Sequence, residues 1–360
     1  MKILQLDLGR EWRGGQRQVL YLMRHLRATE GFSTVLAAPR GCPLALRAAA
    51  MGLRVRELAG RFEWDPRSIF SLRALIVRER IDIIHTHCAR SASLGAVLQR
   101  LTGAGLVHSR RVSYPLKYGW SRSKYLAADV VACVSREIAV VAAMGGVSED
   151  RLTVIHSGID PLQYSEAAAT PPPDADRPVF AVIGALTRQK GHGVFLDALA
   201  ELGRRRPDLD WRAIIAGDGA LMSDLRAQAD RLGIAARVEF AGYRESVQVL
   251  AGTSILAVPS VDGEGSSAAI KEGWAANRPV VCSDLPSNLE LVVSGENGLA
   301  CTRDNPSALA DSFERLLGPQ GAGTPSLVET LVRGGRESLA QFTDTAMARS
   351  YMNLYTSLVS

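Results

Sequence analysis

A short apolar run followed by an amphipathic stretch recurs along this chain, and the recurrence starts afresh after the segment EAAATPPPDADRP at 166–178. Before that segment the runs are Ile3–Leu6, Thr34–Ala37, Arg54–Leu58, Ile81–His85, Gly105–His108, Val130–Val134 and Leu152–Ile155. Helix-like stretches such as Gln16–Arg27, Pro43–Met51, Arg67–Glu79 and Ala92–Leu101 separate most of them. Runs of this length, apolar on both alternating faces, suit parallel strands covered by helices on either side. After it come the strands Val179–Ile183, Trp211–Ala216, Val238–Phe240, Ser254–Val258 and Pro279–Cys282, with helices at Gly193–Arg205 and Leu221–Leu232. The pattern predicts an α/β protein of two doubly wound, Rossmann-like domains.

The expected partition is a first domain at 1–165, a linker at 166–178 and a second domain at 179–341. A triple proline among small and acidic residues reads as a semi-rigid connection. At 342–360, Phe342, Met347, Tyr351, Leu354, Tyr355 and Leu358 fall near helical spacing. That helix is expected to pack back on the first domain. Open parallel sheets bind ligands beyond the carboxyl ends of their strands. Two such domains are therefore expected to face each other across a cleft.

Composition narrows the class. At 360 residues, 47% hydrophobic and 22% charged, the chain is neither disordered, collagen-like nor a coiled coil. Its five cysteines are odd in number and form no C-x-x-C pair, which opposes a disulfide framework or zinc ribbon and fits a reducing compartment. The start MKILQLDLGREWRGG is too charged for a secretory signal. No stretch approaches the ~18 apolar residues of a membrane span. A cytoplasmic protein is expected. The net charge of +5 conceals a division, because residues 1–160 hold 24 basic and 13 acidic side chains and the remainder 18 and 24.

Three motifs carry chemistry. Arg13-Gly14-Gly15-Gln16 follows the first strand and opens a helix, where glycines let backbone N–H groups approach an anion or a sugar. It is not G-x-G-x-x-G, so a dinucleotide fingerprint is absent. Gly184 to Gly191 follows the strand Val179–Ile183 and presents Arg188 and Lys190, cations suited to a departing diphosphate. Glu264 and Glu272 are eight positions apart, with Ser266 and Ser267 between them. A helix rise places them roughly 10 Å apart, a span for a ligand held at both ends.

These motifs resemble those of the retaining GT-B glycosyltransferases of family 4, whose signature has the form E-x7-E. Val238–Tyr243, Ile214–Gly219, Gly295–Leu299 and the Lys190-Gly191 loop match as well. The resemblance covers nearly the whole chain and implies the GT-B fold and a nucleotide diphosphate sugar as donor, uridine or guanosine based. It assigns Glu264 to the transferred hexose, Glu272 to the ribose and Lys190 to the diphosphate. Arg188, Ser266 and Ser267 fall near the donor, and Phe240 to Gly242 beside the base. Gly14 and Gly15 border the donor phosphates and the acceptor. His108 matches the family's active-site histidine, giving a catalytic set of His108, Glu264 and Lys190. No metal or other cofactor is expected.

Three positions depart from the family pattern. Ala185 stands where an arginine is common, Gln16 where glutamate is frequent, and Ser266-Ser267 where an aromatic and a glycine are usual. His85, His87 and His108 have no acidic or cysteine partner at ligand spacing, which argues against zinc. Arg110, Arg111, Lys117, Arg122 and Lys124 are interleaved with Tyr114, Tyr118, Trp120 and Tyr125. Such a stretch suits a sugar-phosphate acceptor, an anionic membrane surface or nucleic acid, or is a solvated loop. The site by the cleft favours the acceptor, with Arg110, Arg111 and His87 as its contacts and nucleic acid set aside.

The expected reaction is transfer of a hexose-type sugar to a hydroxyl of an envelope glycan or lipid-linked saccharide, as in lipopolysaccharide-type synthesis, peripheral to the inner membrane face. A nucleotide-sugar epimerase, a glycoside hydrolase and a non-catalytic sugar-binding protein are the alternatives.

Overall fold

The computed structural model describes residues 1–59, 65–174, 176–318 and 326–359. These form two compact units, Met1–Gly158 with Thr343–Ser360, and Ile159–Phe342.

The front unit carries seven parallel strands: β1 Lys2–Leu6, β2 Ser33–Pro39, β3 Val55–Leu58, β4 Ile83–Thr86, β5 Gly105–Arg110, β6 Val130–Cys133 and β7 Leu152–Val154. Their order in the sheet is β3-β2-β1-β4-β5-β6-β7. The central strands are buried on both faces, which is why they read as unbroken apolar runs. The last helix, Asp344–Val359, belongs to this unit. Its Met347, Ala348, Tyr351 and Tyr355 pack on Ile3, Tyr21, Leu22, Ile83 and Val107. Arg24 and His25 pair with Asp344 to fix its start. Gly158 lets the chain pass close by, since a Cβ there would lie 2.6 Å from Thr343 O.

The back unit carries β8 Val179–Ile183, β9 Arg212–Ala216, β10 Val238–Gly242, β11 Ile255–Val258, β12 Val280–Ser283 and β13 Leu299–Cys301, in the order β10-β9-β8-β11-β12-β13. Phe180, Phe195, Trp211 and Phe313 lie at the heart of one of its two cores. In both sheets the order reverses beside the first strand, between β1 and β4 and between β8 and β11. A crevice at such a switch point is where open α/β sheets take ligands.

The proline-rich segment sits differently from the linker reading. Chain passage between units falls at Gly158/Ile159 and Phe342/Thr343, where Ile159 N donates to Phe342 O at 3.0 Å. Ser165–Ala169 is a helix of the back unit, with Ala167 fully buried. The Arg278 guanidinium takes up its carbonyls, Nη2 reaching Ala167 O at 3.0 Å and Thr170 O at 2.8 Å. A buried arginine far along the chain thus turns small residues into structure. Residue 175 lies outside the described residues. Assigned to these units, the charge division widens: 25 basic and 13 acidic side chains in front, 17 and 24 behind.

Candidate active site

At the back unit's switch point, Gly191 ends the β8 loop at φ 68° and opens the helix His192–Arg205. A Cβ there would stand 1.9 Å from Pro259 O, so glycine alone lets this loop close on the one that follows β11. Gln189 reinforces the contact: its Nε2 donates to Gly263 O at 2.6 Å, and its carbonyl accepts from Val261 N at 2.9 Å. Lys190 Nζ then donates to Glu264 Oε1 at 2.6 Å, and Ser260 Oγ donates to the same oxygen. Glu264 is 5% exposed, whereas the Lys190 side chain keeps 29% of its surface. Both contacts use Oε1, which leaves Oε2 able to accept from a ligand hydroxyl.

Behind this pair, Glu272 is buried on the helix Ala268–Ala275. So is Lys271, whose Nζ donates to Ser266 Oγ at 2.8 Å and approaches Ser266 O at 3.4 Å. Burial pushes the Lys271 ammonium down to about 7, against the pull of Glu272 and Glu264. Ser267 is buried at the helix start. Gly242 ends β10, accepting from Gly217 N at 2.8 Å. Arg188 and Ala185 are exposed on the β8 loop. The structure therefore brings Lys190, Glu264, Ser266, Ser267 and Glu272 together on two adjoining loops and one helix. Ser260, Gln189 and Lys271 were missed in the sequence because their service is to hold other groups.

In the front unit, Asp7 follows β1. Its carboxylate accepts from Gly9 N at 2.6 Å and from Gln16 Nε2 at 3.2 Å, while Gln16 Oε1 accepts from Arg13 N at 3.2 Å. That accounts for the departure at position 16. An amide satisfies both neighbours, whereas glutamate would set a second carboxylate against buried Asp7. Burial raises Asp7, opposed by Gly9, Arg111, Gln16 and Cys88.

The histidine assignment changes. β5 runs to Arg110 rather than ending at His108, so the carboxyl end of the strand lies beyond the histidine. His108 is fully buried. Its Nε2 donates to Lys124 O at 2.9 Å and its Nδ1 takes the Thr86 hydroxyl at 2.5 Å. Burial lowers it to about 4. A neutral ring with both nitrogens engaged is a packing residue, not a substrate contact. Arg110 also turns inward, its guanidinium over the Tyr125 ring and bonded to Tyr114 O. Arg111 emerges at the strand end beside Gly15, with Nη1 on His87 O at 3.2 Å.

His87 is buried, its Nε2 donating to Gln5 Oε1 at 2.7 Å. Burial, with His85 and Arg111 beside it, holds it well below the usual range. His85 bridges Tyr355 OH and Ser109 Oγ, tying the last helix to the sheet. Among the described residues no three His, Cys, Asp or Glu side chains are grouped to hold a metal.

Two family descriptions match this chain. "Glycosyltransferase Family 4" matches residues 12–162 and "Glycosyl transferases group 1" matches residues 177–318. The chain is a GT-B glycosyltransferase of the family 4 type. That assignment selects transfer from the alternatives that two glutamates left open. The glycosyltransferase is 26% identical, over 99% of both chains, to the lipopolysaccharide core biosynthesis glycosyltransferase LpsE of Rhizobium meliloti. It is 27% identical to the UDP-Gal:alpha-D-GlcNAc-diphosphoundecaprenol alpha-1,3-galactosyltransferase of Escherichia coli, over 70% of each chain. In fold it matches Anabaena Alr3699/HepE in complex with UDP, with TM-score 0.84 and 19% identity over 99% of this chain and 100% of that one.

Proposed function

We propose that this glycosyltransferase moves a hexose-type sugar from a UDP-sugar to a hydroxyl of a cell-envelope saccharide, with retention at the anomeric carbon. The Lys190–Glu264 pair across the back unit's switch point carries the reading. A partly exposed ammonium held by a buried carboxylate is preorganised for a diphosphate, and Glu264 Oε2 is placed to accept from a sugar hydroxyl. Glu272 takes the ribose hydroxyls, and Ser266, held by Lys271, offers its hydroxyl to the donor. Uridine is favoured because the named galactosyltransferase uses UDP-Gal and the Anabaena neighbour binds UDP. The lipopolysaccharide core enzyme, similar from end to end, favours an envelope acceptor.

In the reaction the bond from the anomeric carbon to the phosphate oxygen breaks. Lys190 neutralises the charge that builds on the diphosphate. The acceptor oxygen bonds to the same face of that carbon, and its proton passes to the departing phosphate oxygen. The protein supplies position and charge rather than a nucleophile. The front unit's basic excess suits an anionic acceptor or membrane surface, and no described helix is long and apolar enough to cross a membrane.

Calorimetric titration with UDP and GDP tests the donor. UDP is expected to bind wild type and to lose about tenfold in affinity with Glu272→Ala, the scale of one charge-assisted hydrogen bond. Unchanged UDP affinity in that variant would remove the ribose assignment.

A further inference from the structure

At the front unit's switch point a cavity of about 250 Å³ is lined by Gly9, Arg10, Glu11, Arg13, Gln16 and Arg90. Five of these follow β1, and Arg90 follows β4 on the helix Ala89–Thr102. Arg13 is ion-paired with Glu11. Arg10 and Arg90 are exposed, and no hydrogen bond or ion pair engages either among the described residues. Gln16 Nε2 is spent on Asp7, which does not line the cavity.

Three guanidinium groups, two from the segment after β1 and one from the first turn of the helix Ala89–Thr102, thus line one concavity with Glu11 as its one lining carboxylate. Such an arrangement repels itself and focuses a positive field into the cavity. A solvated charged face has no need of a cavity, nor of a place at the switch point. The guanidinium fork matches a phosphoryl group two oxygens at a time. The first backbone N–H groups of the adjoining helix Gly14–Ala28 lack intrahelical acceptors and add donors of the same kind. This arginine set is separate from Arg110 and Arg111, the cations that the sequence pattern brought forward.

We propose that this cavity is a phosphoryl-binding subsite for the acceptor, holding a phosphate that the acceptor carries either as a monoester on a sugar or as a diphosphate link to a lipid. The word acceptor rests on the donor reading above, which places the donor diphosphate at Lys190. The phosphoryl preference itself does not.

Calorimetry on the full chain tests the subsite with glucose 6-phosphate, geranyl diphosphate and glucose as probes, and UDP as the internal reference. Wild type is expected to bind at least one phosphorylated probe about tenfold or more tighter than glucose, and Arg10→Gln/Arg90→Gln to erase that preference, as loss of charge-assisted hydrogen bonds dictates. UDP affinity is expected to stay within about twofold, a few tenths of a kcal/mol. Preference for glucose 6-phosphate assigns a sugar phosphate, and preference for geranyl diphosphate a lipid diphosphate. Either supports the subsite. No preference in wild type, or its survival in the double variant, overturns the proposal. Parallel loss of UDP also overturns it, since the arginines would then serve the donor. Should wild type bind no UDP while keeping the phosphoryl preference, the donor reading fails and the subsite stands.

Discussion

The two switch points share one topology and arrange charge in opposite ways. Behind, Lys190 and Glu264 are joined to each other, Ser260 and Gln189 brace their loops, and Lys271 is buried beneath. In front, Arg10 and Arg90 stand exposed beside a cavity, with no partner among the described residues. A site whose cation already has an anion is built to hold one geometry, and the charge of its ligand adds to a paired group. A site of unpaired cations draws its ligand from a distance and is screened by salt. On the proposed reading, the difference lets an acidic unit hold an anionic donor through local groups and leaves the other substrate to the basic unit.

The largest expected effect falls on the paired site. Lys190→Ala removes the cation and leaves buried Glu264 with only the Ser260 hydroxyl; kcat/KM is expected to fall about 10²–10³-fold, the scale for losing one preorganised transition-state charge. Steady-state rates with a UDP-sugar check it. A change within about threefold, under 1 kcal/mol, would mean that the pairing is structural only.

Next comes the buried lysine. Lys271 titrates near 7 in the fold and at 10.5 when exposed. Between those values the unfolded chain holds more protons, so stability rises with pH across that window and the cost is complete below it. On that shift the rise is on the order of 5 kcal/mol. Urea unfolding across pH 6 to 10 is expected to show it, and Lys271→Met to flatten it. A Met variant with the wild-type slope would assign the slope to other groups.

His108 and His192 are held near 4 by burial. The unfolded chain takes their protons first, so stability is intact above about 6.5 and falls as pH drops towards 4, each ring withdrawing on the order of 3 kcal/mol. His108→Gln is expected to weaken that acid slope while leaving UDP affinity within about twofold, a few tenths of a kcal/mol. A large UDP loss without a stability change would return His108 to the active site.

Much of this was legible in the sequence, for physical reasons. Buried parallel strands must be apolar on both faces, so β1, β4, β8 and β11 announce themselves. Lys190, Glu264 and Glu272 stand at spacings that a strand end and a helix fix. What escaped depends on partners distant in the chain. Cys301 ends a strand of three residues, Leu299–Cys301, too short for a periodicity. The helix Leu327–Leu339 was overlooked although Ser326 and Glu329 cap it reciprocally, a signal of the S-x-x-E kind. The true end of β5 is set by pairing with β6, where Arg110 meets Cys133. Two more residues of pairing moved His108 into the interior.

The division of labour between the two switch points is tested most directly by hydrogen–deuterium exchange of the full chain with and without UDP. Protection is expected to be strongest in residues 184–191 and 259–272 of the back unit. Protection confined to residues 7–16 and 87–90 of the front unit would contradict it.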